Sequence, residues 1–217
     1  MIAVMVVSFV IQRVLTSKFE KYSKVPNPSG LTGAQVAEKM LREHGIYDVS
    51  VECIGGTLTD HFDPRAMRVN LSEEVYDGNS IAAAAVAAHE CGHVVQHQTG
   101  YAPLRLRSAL VPVVSFSNNI VQWVLLAGII FINVFPSLLW LGIILFAMTT
   151  LFSLVTLPVE INASARAVRW LEGQGYAPNQ KAMAADALKW AAYTYVIAAI
   201  GSLATLFYYI GIANNRR

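Results

Sequence analysis

Hydropathy along the chain alternates between long apolar runs and two polar stretches, and the runs have the length of membrane spans. A spanning helix needs about 20 mostly apolar residues. Residues 138–157 meet this without one charged side chain, and 191–213 meet it with only small polar and tyrosine interruptions. Residues 109–135 are long enough, but Ser115, Ser117, Asn118, Asn119 and Gln122 crowd the first half of that run. Such groups are costly against lipid, so they are expected to face protein or a wet cavity. Residues 1–15 are apolar up to Gln12 and Arg13, a short span. It reads as a retained anchor, because a secretory signal would open with basic residues and end at a small-residue cleavage site.

The first polar stretch, 16–108, carries the signals of a water-exposed domain. Pro26-Asn27-Pro28-Ser29-Gly30 is a breaker. After it, 32–44 reads as an amphipathic helix with Val36, Met40 and Leu41 on one face and Gly45 at its end. Residues 49–53 alternate as a strand, Gly55-Gly56 turns the chain, and 57–59 and 67–71 read as further short strands. The turn-rich connection Asp60-His61-Phe62-Asp63-Pro64-Arg65 separates the last two. Asn79 or Ser80 caps a helix running from Ile81 to about Gln98, stopped by Gly100. The expected fold class is mainly α, with multi-pass membrane helices and a small α+β domain holding a short antiparallel sheet.

Composition sharpens the membrane reading. Apolar residues make up 55% of the chain and charged residues 14%, with a mean hydropathy of +0.46, whereas soluble domains carry about 25% charged residues. Net charge is +2, from 16 basic against 14 acidic side chains, too balanced for a nucleic-acid partner. Cys53 and Cys91 form no CxxC pair, which suits free thiols in a reducing compartment. Arg13, Lys18, Lys21, Lys24, Arg105, Arg107, Arg166, Arg169, Lys181 and Lys189 all flank spans on the two polar stretches, and 133–137 carries no charge. Basic loops stay in the cytoplasm, so both polar stretches are placed there, against the weaker vote of Arg216 and Arg217 at the C-terminus.

Chemistry enters with His89-Glu90-Cys91-Gly92-His93, an HExxH sequence inside a helical run. Positions i and i+4 lie one turn apart on nearly the same face, so two imidazoles there can meet one zinc ion. Glu90 projects between them, placed to take a proton from water, while Cys91 points about 200° away from His89. The bland alternative is a pair of core histidines, but it leaves a glutamate inside an alanine helix, expensive without a partner. A catalytic zinc takes three protein ligands and keeps one position open. His97 is another four residues on, about 12 Å along the helix from His89, which suits packing or support of a ligand better than ligation. Glu160, just after the charge-free span, is the better third ligand. The alternative for it is an interfacial acid paired with Arg166 or Arg169. For Asp60, His61 and Asp63 two readings stay open, a His61 that stabilises an oxyanion and a turn held by its own side-chain hydrogen bonds. Residues 67–71 suggest an edge strand that pairs with substrate. Tyr195, Tyr208 and Tyr209 read as packing or interface aromatics.

The run Leu58-Thr59-Asp60-His61-Phe62-Asp63-Pro64, then Val69-Asn70-Leu71-Ser72-Glu73, Asn79-Ser80, His89 to His97 and Glu160 to Ser164, closely resembles the YugP-like membrane zinc metallopeptidases of bacteria. The resemblance covers nearly the whole chain. It implies a zincin-like domain joined to a small bundle of spans, with a glutamate from a second helix as third ligand (the glutamate-zincin pattern), which matches Glu160. That pattern often places an aspartate four residues later to support a histidine. Here the position is Ser164, a weaker orienting group than a carboxylate, with Asp60, Asp63 or Asn162 as candidate substitutes.

The function expected is therefore a zinc-dependent endopeptidase of the bacterial plasma membrane, with its site facing the cytoplasm and Glu90 as the base. Its cofactor is one Zn2+, and its partners are peptide or membrane-protein substrates and the lipid bilayer; homo-oligomers are left open. Asn118, Asn119 and Gln122 are expected to line a wet entry. The expected organisation is an anchor at 1–15, the peptidase domain at 16–108 and two spans within 109–157. A helical segment at 158–190 brings the third ligand, and a last span and tail occupy 191–217. Two competing readings are a catalytically silent, zinc-stabilised scaffold and a small transporter.

Overall fold

In the computed structural model the described residues are 2–215, so Met1, Arg216 and Arg217 lie outside them. The chain order is α1 (Ile2–Ser23), α2 (Gly33–Glu43), β1 (Ser50–Ile54), β2 (His61–Asp63), β3 (Arg68–Ser72), α3 (Glu73–Tyr76), α4 (Ile81–Gln98), α5 (Ala102–Ile130), α6 (Pro136–Gly173) and α7 (Pro178–Asn214). Helices α1, α5, α6 and α7 are long and apolar enough to cross a membrane. All four expected spans are thus helical, but α6 and α7 extend well beyond the apolar runs. Pro158 does not end α6, which continues for a further 15 residues to Gly173. The expected second span stops earlier than its apolar content suggests. Helix α5 ends at Ile130, a turn follows, and Pro136 opens α6 at a position where its missing N–H costs nothing.

The chain divides into two compact units. One comprises Ala102–Pro158 with the chain before Val10 and after Thr194. Its centre is Val121 and Leu125 of α5 against Leu139 and Ile143 of α6, joined by Leu206, Tyr209 and Ile210 of α7. Gly128 lets α5 and α6 touch, since a Cβ there would lie 2.6 Å from the Leu139 Cα. Phe116, Trp123, Leu126, Ile144 and Phe207 are exposed, the outward apolar surface of a bundle solvated by lipid.

The other unit comprises Val10–Tyr101 and Val159–Thr194. Helix α2 forms as expected. The Thr32 hydroxyl accepts from the Gln35 N–H, and the Gln35 side chain accepts from the Thr32 N–H, a reciprocal capping box. Its apolar face, Val36, Met40 and Leu41, is fully covered. Helix α4 begins where Ser80 caps the Ala83 N–H, and 15 of its 18 residues are buried. A helix covered on all sides is a core helix, and the alanines at 82–85 let its neighbours approach closely. Val69 and Leu71 of β3 and Ala167, Leu171, Ala184 and Leu188 of α6 and α7 complete that core.

The sheet differs from expectation. Its order is β1-β3-β2, with β2 antiparallel to β3 but β1 parallel to it. It is therefore mixed, not antiparallel. Residues 57–59 are not a strand, because Leu58 has φ +58° and is exposed, a left-handed conformation that a strand does not hold. The strand lies instead at His61–Asp63, where Phe62 turns inward onto the core. Strand β3 is central, so it cannot offer an edge to substrate as 67–71 was expected to do. The edges are β1 and β2, and the Phe62 ring of β2 meets His97 of α4, 5.7 Å between centroids.

Cys91 is fully buried with its thiol 3.6 Å from the Ala37 carbonyl oxygen. Burial first, then the charge of Glu90, pushes that thiol far above the ordinary cysteine range. Cys53 is exposed. Maleimide treatment of the folded protein is expected to modify Cys53 alone, with Cys91 reacting only after denaturation; mass spectrometry that finds both modified before denaturation would contradict this packing.

Candidate metal centre

The HExxH residues sit in the third and fourth turns of α4, and the helix does with them what its periodicity requires. His89 and His93 stand edge to face, ring centroids 4.8 Å apart and planes at 85°. Glu160 arrives from α6. Its Oε2 lies 3.3 Å from His89 Nε2 and 3.6 Å from His93 Nε2. One donor atom from each of the three residues lies within 4.8 Å of the others. Zinc bonds of about 2.0–2.1 Å in a tetrahedron put neighbouring donors about 3.3–3.4 Å apart, so the two histidine–carboxylate distances fit one ion. The donor set fits as well: two imidazoles and a carboxylate leave a fourth position open.

The site is buried, with Glu160 3% exposed, Glu90 8% and His93 8%. Burial works against a charged imidazolium at His93. The Glu160 carboxylate, the charge of Glu90 and the Gln96 contact outweigh it and raise the His93 pKa above its ordinary value. Two carboxylates in a covered pocket thus make the site attractive to a cation.

Close helix approach makes this convergence possible. A Cβ on Gly92 would lie 2.7 Å from the Ala163 carbonyl oxygen and 3.1 Å from its Cα. Only a residue without a side chain lets the backbone of α4 rest on α6 at this level. The contact falls between the two histidines in α4 and between Glu160 and Ser164 in α6, so it sets how far the carboxylate reaches.

The far nitrogen of each imidazole is also engaged. Ser164 Oγ lies 3.1 Å from His89 Nδ1, so the serine does meet the histidine that an aspartate would support in the resembling pattern. His93 Nδ1 lies 3.1 Å from Gln96 Oε1. The Gln96 amide donates to the Val159 carbonyl at 2.8 Å and to Asn162 Oδ1 at 3.0 Å, and Arg166 Nε donates to that same Asn162 oxygen at 2.8 Å. A backbone carbonyl only accepts, which fixes the Gln96 NH2 toward α6 and turns its oxygen to His93. That oxygen requires the proton on Nδ1, which leaves Nε2 bare and facing Glu160.

The remaining candidates are not at this cluster's hydrogen bonds. Asp60 accepts from the N–H and hydroxyl of Ser72, 2.8 and 3.0 Å, at the start of α3. Asp63 accepts from the N–H groups of Arg65 and Ala66 in the turn to β3, and those two bonds, the largest lowering influences, hold its carboxyl below the usual carboxylate range. His61 is exposed, its Nδ1 2.7 Å from the Thr59 carbonyl and its Nε2 3.1 Å from the Asn70 amide nitrogen. His97 is exposed and packs on Phe62. In the other unit Asn118 bonds Thr149 at 3.0 Å, and Asn118, Asn119 and Gln122 are all exposed.

The chain matches the family described as "Putative neutral zinc metallopeptidase" over residues 1–214. It belongs to that family. The "Putative membrane protease YugP" of Bacillus subtilis (strain 168) is 45% identical over 217 residues, covering 100% of this chain and 96% of the relative. No solved structure matches.

In this member of the family the residue that sequence reasoning missed is Gln96. Its spacing was available in the sequence, three residues after His93 and seven after His89 on the same helical face, whereas its full burial was not. Replacing Gln96 by Leu is expected to weaken zinc binding by about 10–100-fold, the usual cost of losing such a partner, in competition with a chromophoric chelator. Unchanged affinity would deny it a role. Gly92→Ala is expected to force α4 off α6, destabilise the fold by about 1–3 kcal/mol and lower zinc affinity with it, read by thermal melting and the same competition. A variant with wild-type values for both would show that the close contact is dispensable.

Proposed function

We propose that the protein is a membrane-embedded zinc-dependent endopeptidase that hydrolyses peptide bonds at the cytoplasmic membrane interface. The observation that carries this is the convergence of His89, His93 and Glu160 with a buried Glu90 on the same helix as the two histidines. A structural zinc is closed by four ligands and needs no base, whereas this set leaves an open position beside a carboxylate. The family and the curated relative, described as a zinc metallopeptidase and a membrane protease, point the same way.

His89, His93 and Glu160 would hold the ion. Bound there, zinc supplies Lewis acidity, lowering the pKa of water and polarising a scissile carbonyl. Glu90 takes the proton from the attacking water and delivers it to the leaving amine nitrogen. Gln96 holds His93 in the tautomer that keeps Nε2 free, and Ser164 orients the His89 ring through Nδ1. A peptide laid along β2, the edge strand beside α4, would be fixed through its backbone, with side-chain pockets left to set preference.

The cytoplasmic placement is supported by the basic residues that cluster on the two polar stretches. The membrane-interface placement rests on sequence distance. Glu160 follows the charge-free run by three residues within one uninterrupted helix, α6.

Glu90→Gln is expected to retain stoichiometric zinc and to lose peptide hydrolysis by at least about 100-fold, the lower range for a general base. Zinc analysis and cleavage of a peptide library, with and without chelator, measure both. Full activity in that variant refutes the role of Glu90. Activity absent from the zinc-loaded wild type across the library would favour the silent scaffold.

A further inference from the structure

Most polar side chains of the apolar bundle are hydrogen-bonded within it; the Ser117 and Thr156 hydroxyls are buried without a partner among the described residues, and the exposed unpaired side chains midway along α5 share one face. Thr150 and Ser153 of α6 and Ser202 and Thr205 of α7 donate to carbonyls three or four residues back in their own helices. Asn118 of α5 accepts from the Thr149 hydroxyl. Ser115, Asn119 and Gln122 make no hydrogen bond among the described residues, and all three are exposed. They stand at i, i+4 and i+7, so they form one stripe along α5. Val114, Ser117, Val121, Leu125 and Gly128 are the side of α5 that the bundle buries. The stripe points elsewhere.

Depth decides what this means. The apolar run begins at Ala109, so Asn119 and Gln122 stand about 15–20 Å along the helix, close to the middle of a hydrocarbon core about 30 Å thick. A carboxamide there has no water, and lipid offers it neither donor nor acceptor. Each amide carries both, so the partner that satisfies it completely is another amide, paired reciprocally. Asn119 and Gln122 of a second copy lie at the same depth, on the same face. A two-fold axis parallel to the membrane normal brings each onto its counterpart, which is the self-complementarity that an isologous dimer requires.

We propose that the protein is a homodimer in the membrane, joined along α5 by Ser115, Asn119 and Gln122 pairing with the same residues of a second copy. Interhelical amide bonds are an established driver of helix association in lipid. The flanking Val111 and Leu126 are exposed on the same face and supply the apolar contact around the polar stripe. The proposal goes beyond the peptidase reading and stands without it, since neither zinc nor Glu90 takes part; its premise is that α5 crosses the bilayer.

The test uses the full chain in native membranes with Cys53 replaced by serine, Cys91 being sealed in the core. Single cysteines are placed as Asn119→Cys, Gln122→Cys and, on a different exposed face of the same helix, Phe116→Cys. Mild oxidation is expected to give a covalent dimer at 119 and 122 and none at 116. In vesicles, stepwise photobleaching of otherwise wild-type protein is expected to show two copies per spot. Asn119→Leu with Gln122→Leu should raise the dimer's dissociation constant about tenfold or more. Those leucines face lipid in a monomer, so the fold survives them, and retained zinc content checks this. Single-copy spots for the wild type overturn the proposal. So does a dimer that the leucines leave intact. Ready labelling of Asn119→Cys by a water-soluble maleimide also overturns it, and would make the stripe the wall of a wet cavity instead.

Discussion

The site depends on the contact between the backbones of α4 and α6 at Gly92 and Ala163. Two imidazoles one turn apart are easily arranged by any helix, but a third ligand must come from elsewhere in the chain, 67 residues beyond His93 in sequence. Bringing a short glutamate side chain to both Nε2 atoms requires helices nearly in touch, closer than the usual interaxial 8–10 Å allows with side chains between them. Glycine at 92 and alanine at 163 remove those side chains where the helices meet. The alanines earlier in α4 extend the close packing along the core.

Electrostatics follows from that geometry. Burying Glu160 and Glu90 together would cost several kcal/mol per uncompensated charge. Part of the compensation is visible in the protein alone, where His93 is driven toward its protonated form by those carboxylates. A divalent cation held by His89, His93 and Glu160 would compensate the same charges more completely than a proton does. The hydrogen bonds behind the ring nitrogens then act in the ion's favour. Gln96 reports a fixed donor–acceptor order back to a backbone carbonyl, whereas Ser164, a hydroxyl that can rotate, leaves His89 less firmly determined.

Much of this was legible in the chain, and the misses have identifiable causes. Helix α4 and its Ser80 cap, helix α2 and the four apolar helices follow from local chemistry and period, which act within a few residues. Histidines at i and i+4 and the isolated Glu160 announced themselves for the same reason. The sheet was read less well. Its strands are three to five residues long, too short for alternation to identify. What decides between 57–59 and 61–63 is a positive φ at Leu58 and the burial of Phe62, both tertiary outcomes. Register and direction came from β1 crossing to the far side of β3, which no local pattern encodes. Gln96 went unread because a glutamine near a helix end looks solvated until its neighbours are known. Asp60 and Asp63 looked like chemistry because they flank a histidine, but both carboxylates are spent on nearby N–H or hydroxyl groups.

The central claim is that a carboxylate from α6 completes a metal site begun on α4. Zinc affinity of Glu160→Ala, measured by chelator competition alongside the zinc K-edge absorption spectrum of wild type, tests it most directly. The account predicts one zinc per wild-type chain, with two imidazoles and an oxygen donor in its shell, and loss of tight binding in the variant. Equal affinity and an unchanged spectrum in Glu160→Ala would contradict it.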